Sequence, residues 1–245
     1  MRDMWRFIHA RTIVRVASRV RGAAPDHTAD VQRFLVSAVT SKPDFSILQV
    51  GAYDGISNDL VHDLLREHEH VRGVLLEPQP GPFTSLQKRW EGVSRVVPIR
   101  AALSDTAGER PLYVIADAFK GRHPFPDQVS SFYRSRVEQA CSRYAWRPAP
   151  EWITSVQVPT IDWRTLVHRY GPFDLVAIDA EGYDAEILAQ IDMTASPPGI
   201  ILYEHVLLTR RVQKRCEQLL TSSGYSVRRV NQNDTLATLS GCSSL

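Results

Sequence analysis

Four nearly continuous apolar runs punctuate the chain: Ile47–Val50, Val71–Leu76, Phe173–Ile178 and Ile200–Tyr203. Runs this short and this apolar predict strands buried on both faces, as in a parallel sheet covered by helices on either side. Between them the spacing changes to that of helices. Val31, Phe34, Leu35 and Ala38 share one face of a predicted helix over Asp30–Thr40, which Pro43 ends. Leu60, Val61, Leu64 and Leu65 do the same over Leu60–Glu67, after Ser57-Asn58-Asp59, which can cap it. Further helices are predicted over Pro80–Trp90, Ile161–Tyr170, Ala185–Ile191 and Thr209–Ser222, and strands over Arg95–Ala101, Pro111–Ala116 and Ile153–Val158. Tyr225–Val230 and Thr235–Leu239 form a closing strand pair, and the segment from Asp117 to Pro150 reads as irregular. Repeated strand–helix units with a terminal pair imply an α/β fold, a mostly parallel doubly wound sheet with an antiparallel edge.

At 245 residues and 43% hydrophobic content, one such domain over 44–245, with an insertion at about 117–150, suits the length better than two domains. The net charge of +2 gives no global case for nucleic-acid binding. Cys141, Cys216 and Cys242 are too few and too scattered for a disulfide framework or a zinc cluster, and read as reduced structural thiols of a cytoplasmic protein. No apolar stretch is long enough to span a bilayer. Residues 1–43 begin with a strongly basic stretch in which Arg2, Arg6, Arg11, Arg15, Arg19 and Arg21 interleave with Trp5, Phe7, Ile8, Ile13, Val14, Val16 and Val20. The arginines break any secretory apolar core. Two readings stay open for this stretch: a helix lying on an anionic membrane surface, or a helix packed on the domain or on a partner subunit of a homo-oligomer.

The chemistry gathers where the apolar runs end. The first ends in Gly51-Ala52-Tyr53-Asp54-Gly55, where glycine permits a sharp turn and a ligand can approach the backbone. Glu77 ends the second run, 22 residues beyond Gly55, where an acid can accept hydrogen bonds from both hydroxyls of a ribose. Tyr53 and Ile56 break the Gly-x-Gly-x-x-Gly spacing of a nicotinamide site. Acids without a phosphate cradle suit a cofactor with a ribose and a positive centre, S-adenosylmethionine. Ile178-Asp179-Ala180-Glu181-Gly182-Tyr183-Asp184 sets three acids within six residues after a buried strand, an arrangement that needs water, cations or reacting groups nearby. Asp179 and Glu181 are read as site residues, and Asp184 as an acid complementing a helix N-terminus.

Other positions carry two readings. Asp54 lies near the amino-acid end of the cofactor or on the surface, and Ser104-Asp105 borders the adenine or forms a turn. His205 is a general base or a solvent-exposed loop residue. Asp179, Glu204 and His205 together make a disfavoured candidate site for a divalent cation. The insertion, with Arg and aromatic side chains and Ser130-Ser131-Phe132 on its inner surface, is a lid over a sugar or a solvated excursion.

Taken in order, Val50–Gly55, Glu77-Pro78, Ala101–Asp105, Ile178–Asp184 and Glu204-His205 resemble the FkbM-type S-adenosylmethionine-dependent methyltransferases over roughly residues 46–240. The resemblance implies a Rossmann-like methyltransferase fold and O-methylation of hydroxyls on sugars, glycans or polyketide-like products. It places Gly51 and Gly55 in the cofactor loop, Glu77 on the ribose, and Asp179 with Glu181 facing the transferred methyl. Gln49 stands where the family usually has aspartate, and Tyr53 where asparagine is common. The alternative is a non-catalytic module that uses this fold to hold a glycan or a partner.

Overall fold

The computed structural model describes residues 26–55, 60–121, 126–143 and 149–241. Its elements run α1 (Thr28–Ser41), β1 (Ser46–Val50), α2 (Leu60–Glu67), β2 (Arg72–Leu76), α3 (Pro80–Arg89), β3 (Val96–Ile99), β4 (Ala102–Leu103), β5 (Gly108–Ile115), α4 (Asp117–Lys120), β6 (Ser130–Ser131), α5 (Arg134–Arg143), β7 (Ile153–Ile161), α6 (Trp163–Tyr170), β8 (Leu175–Ile178), α7 (Asp184–Leu188), β9 (Ile200–Glu204), α8 (Arg210–Ser222), β10 (Tyr225–Arg229) and β11 (Asp234–Leu239). Seven strands form the main sheet in the order β10-β11-β9-β8-β1-β2-β3. The five from β9 to β3 are parallel, and β11 enters antiparallel beside β9. The chain first winds outward from β1 to β3, then returns to β8 on the other side of β1. That reversal opens a crevice at the carboxyl ends of β1 and β8.

Alternation along each buried strand divides the core. Ile47, Leu75, Leu175 and Leu202 point to a layer shared with Val31 and Leu35 of α1 and with Leu64, Leu65 and Leu86. Leu48, Val74, Val176 and Tyr203 point to the opposite layer, with Leu166 of α6, Leu188 of α7 and Leu220 of α8. The central strands are mostly apolar on both sides because both faces are covered.

The second layer holds the main departure from the sequence reading. β5 and β7 leave the main sheet and pair with each other over eight residues, Gly108 opposite Thr160 through Ile115 opposite Ile153. With β4 and β6 they make a separate four-stranded sheet, β4-β7-β5-β6. Leu112, Val114 and Val158 of this sheet pack in the same core as Leu48 and Val176. The segment expected to be irregular contains α5, a ten-residue helix seated by Val137, Ala140 and Cys141. The basic stretch over residues 1–25 lies outside the described residues, as does Cys242. Cys141 and Cys216 are buried and free. Among the described residues no helix is long and apolar enough to cross a membrane.

Leu48 is fully buried at the centre of the main sheet. Its replacement by alanine leaves a cavity there, and should lower unfolding free energy by about 2–5 kcal/mol in urea denaturation.

Candidate active site

The crevice starts with a close approach of two backbones. Gly51 follows β1 at φ +82, and a Cβ at that position would sit 1.9 Å from the Asp179 carbonyl oxygen. Asp179 N–H donates to Val50 O at 2.9 Å, so the β1–β8 ladder runs to its last residue before the strands part. No side chain fits at Gly51, in space or in backbone angle. Gly55 serves packing instead, since its missing Cβ makes room for Leu86 and Trp90.

Beyond Gly51 the chain turns across the end of β2. The N–H groups of Gly51 and Ala52 both donate to Leu76 O, at 3.0 and 2.9 Å. Glu77 comes next on β2 and is 3% exposed. Its Oε2 accepts the Tyr53 N–H at 3.0 Å and its Oε1 accepts the Gln79 N–H at 2.8 Å. A carboxylate has about four acceptor sites, more than these N–H groups occupy, so Glu77 can also accept from a ligand hydroxyl. Burial pushes the Glu77 carboxyl up to about 7, against those two N–H groups, which pull it down; the nearby Asp179 adds to the rise.

The third wall is the turn after β8. Glu181 and Gly182 adopt φ values of +49 and +89. Asp184, wholly buried, accepts the Gly182 N–H at 3.0 Å and the Ala180 N–H at 3.4 Å, which fixes the turn from within. Burial raises its carboxyl well above the ordinary range. Asp184 does open α7, as expected of a helix-end acid, but its bonds go to the loop before it. Non-glycine residues at positive φ, here Tyr53 and Glu181, are strained, and both line the crevice.

The insertion closes the fourth side. Gln79, itself buried, donates from Nε2 to Asp127 O at 2.8 Å and to Ser130 Oγ at 3.3 Å, tying β2 to the insertion. Phe132 meets Tyr183 edge-on at 4.9 Å, and Arg110 lies over the Phe132 ring at 4.2 Å while donating to Tyr183 Oη at 3.0 Å. Arg136 packs its aliphatic stem against Gly182 and donates to Leu207 O.

The resulting cleft has a volume of about 230 Å³. That is close to the lower end of small-ligand clefts, roughly 300–1,000 Å³. Glu77, Asp127, Asp179, Glu181 and Asp234 line it, and no Lys, Arg or His does among the described residues. Gln49 also lines it, and its Oε1 is buried without a hydrogen-bond partner. These features fit a cofactor with a vicinal diol and a positive centre, and disfavour a pyrophosphate.

Of the residues singled out in the sequence, Gly51, Ala52, Tyr53, Glu77, Asp179 and Glu181 meet at this cleft, with Ser130, Ser131 and Phe132 of the insertion. Others do not. Asp54 and Gly55 lie off its lining. Ser104 is buried, accepts from Arg110 at 2.6 Å and donates to Asp105 at 3.0 Å, so its neighbours Ala101–Leu103 line the cleft instead. His205 is neither a solvent-exposed loop residue nor part of the lining. It is 2% exposed, its Nδ1 lies 2.9 Å from Thr235 Oγ1, and its Nε2 faces Arg229 at 3.4 Å. Burial, then Arg229, lowers its pKa to about 4, which leaves a neutral imidazole packed behind β9. Glu204 is also absent from the lining, and among the described residues no group of three or more His, Cys, Asp or Glu could hold a metal ion. Sequence reasoning missed Gln79, Asp127 and Tyr183. Gln79 had a local signal, its place two residues past Glu77 and just before the proline that starts α3, and Tyr183 lay within the Ile178–Asp184 run.

Residues 49–227, well over half of the chain, match the Methyltransferase FkbM domain. The chain belongs to the FkbM methyltransferase family. Among solved structures it is similar to methyltransferase FkbM from Methylobacillus flagellatus KT, at 10% identity and TM-score 0.49, covering 80% of this chain and 44% of that one. It is similar to precorrin-6y C5,15-methyltransferase from Geobacter metallireducens GS-15, at 14% identity and TM-score 0.44, covering 86% and 88%. A third is Aeropyrum pernix fibrillarin in complex with natively bound S-adenosyl-L-methionine, at 13% identity and TM-score 0.43, covering 91% and 85%. Among curated proteins none matches significantly by sequence.

Glu77 gives this FkbM domain a distinct pH response. The carboxyl ordinarily titrates near 4.5, and near 7 in the fold. Between those values the unfolded chain loses its proton first, so Glu77 favours folding below the window and that contribution is lost as pH rises through it. The loss is about 3 kcal/mol at 1.36 kcal/mol per pH unit. Compared with wild type in denaturation between pH 4 and 8, Glu77→Gln should lose a component of stability that falls with rising pH, superposed on the opposite, rising contribution of buried His205 between about 4 and 6.5.

Proposed function

We propose that this protein is an S-adenosylmethionine-dependent O-methyltransferase acting on a hydroxyl of a sugar or glycan. The observation that carries the reading is the cleft's charge: five acids line it, of which Asp127 is paired with Lys120 at 2.8 Å, and no cation is among its described lining residues, with Glu77 just past the end of β2. An acidic cavity favours a sulfonium over a phosphate-bearing cofactor. The bound cofactor supplies an electrophilic methyl group, and what remains for the protein is alignment and proton removal.

In this reading Glu77 accepts the two ribose hydroxyls, and Gln49 Oε1 accepts from the ammonium end. Gln49 thereby keeps an acceptor where the family usually has an aspartate, without the charge. Asp179, at the tip of β8, takes the proton from the acceptor hydroxyl, with Glu181 beside it shaping the field. His205 has no part in this step. Phe132 and Tyr183 provide flat apolar surface, and Ser130 and Ser131 hydroxyls, which together suit the mixed faces of a saccharide.

Calorimetry should detect S-adenosylmethionine binding that weakens by at least about tenfold in Glu77→Gln, since hydrogen bonds to a charged acceptor contribute about 1.5–3 kcal/mol. No heat from the wild-type protein would contradict the reading. With labelled methyl donor and a cell glycan extract, mass spectrometry should find label on hydroxyl oxygen. Asp179→Asn, a change at an exposed residue, should keep the fold and cofactor binding but abolish that transfer; wild-type turnover in this variant would remove Asp179 from the mechanism.

A further inference from the structure

The edge of the main sheet farthest from β3 carries a concentration of cations that the methyltransferase reading does not use. α8 opens with Arg210, Arg211, Lys214 and Arg215, all exposed, and Glu217 is its single acid. The helix has no acid in its first turn and no base in its last. This is the reverse of what the helix dipole favours, so the arrangement works against helix stability. Beside it, the edge strand β10 ends in exposed Arg228 and Arg229, and Arg229 donates to Gln213 of α8 at 2.7 Å. Arg229 pairs with Glu217 at 3.9 Å, whereas Arg210, Arg211, Lys214, Arg215 and Arg228 form no ion pair among the described residues.

Topology places these cations on the face where the cleft opens. β9 is parallel to β8, β11 is antiparallel to β9, and β10 is antiparallel to β11. The carboxyl end of β10 and the first turn of α8, which follows β9, therefore lie at the same edge as the ends of β1 and β8. Three strand spacings separate β10 from β8, about 14 Å at roughly 4.8 Å each. That exceeds the Debye length of about 8 Å at physiological salt, so Asp179 and Glu181 do not cancel attraction at the patch; Asp234, on β11 beside β10, offsets part of it.

The first described residues of the chain also lie at this edge. The His27 N–H donates to Val230 O at 2.7 Å, and Asn231 donates to Thr28 Oγ1 at 3.1 Å. In the sequence these residues follow a stretch, 1–25, with six arginines among aromatic and aliphatic residues. We propose that the α8–β10 edge is a docking surface for an anionic phospholipid bilayer, which sets the cleft opening beside the membrane. Arginines interleaved with Trp, Phe, Ile and Val in the adjoining stretch suit a lipid interface. A nucleic acid suits it less: the patch has no exposed aromatic residue for base stacking, and the chain as a whole carries only +2.

Flotation of the full chain with phosphatidylcholine vesicles, with and without phosphatidylglycerol, tests this independently of methyl transfer. The protein should bind only the anionic vesicles. R210A/R211A/K214A/R215A should reduce that partition on the order of 100- to 1,000-fold, since each cation near such a surface contributes about fivefold. R210K/R211K/R215K, which keeps the charge, should bind like wild type. Equal binding to neutral vesicles, undiminished binding of the alanine variant, or loss in the lysine variant would each overturn the proposal. So would tighter binding to a duplex DNA oligonucleotide than to the vesicles, lost in the alanine variant.

Discussion

Gly51 and the carbonyl of Asp179 stand so close that nothing larger than hydrogen fits between them, and the rest of the site is arranged around that contact. It is the last point at which β1 and β8 run together; past it, one chain turns over β2 and the other turns toward α7. Because both turns leave from a shared backbone contact, their side chains converge on one volume. Glu77 and Gln49 enter it from one side, Asp179 and Glu181 from the other. The four-stranded sheet and the insertion then form the remaining wall through Leu112, Ser130 and Phe132, with Gln79 tying β2 to it.

Gathering carboxylates in this way has an energetic cost, and the structure offsets it locally. Glu77 and Asp184 are the most buried acids of the region, and each accepts two backbone N–H groups. Those bonds satisfy loop amides that would otherwise be orphaned. They do not restore ordinary titration, since burial still outweighs them in both cases. The strained backbone at Tyr53 and Glu181 has the same origin: side chains are held at positive φ where a ligand site requires them. A bound positive centre lowers the repulsion among these acids.

Much of this was legible in the residues because it depends on local pattern. Apolar runs ending in Gly51, Glu77 and Asp179 announce buried parallel strands and place their acids at the carboxyl edge. The two-sheet architecture was not legible, because β5 and β7 pair across nearly forty intervening residues and their alternation says nothing about which partner they choose. α5 was hidden for another reason. Its sequence is dominated by Arg, Ser, Gln and Glu, and it is held by tertiary contacts of Val137, Ala140 and Cys141. His205 misled because its neighbour Glu204 ends a strand as Asp179 nearly does, but its side chain turns behind β9 toward Thr235. Ser104 likewise sits at a strand end and faces Arg110.

The central claim is that the cofactor lies at the junction of β1 and β8, touching both turns at once. Hydrogen exchange of the protein with and without S-adenosylmethionine tests it directly. The account predicts slowed exchange on both sides of the junction, in residues 49–55 and 77–80 on one side and in residues 179–183 on the other. Protection confined to other regions, or no change on either side at saturating cofactor, would contradict it.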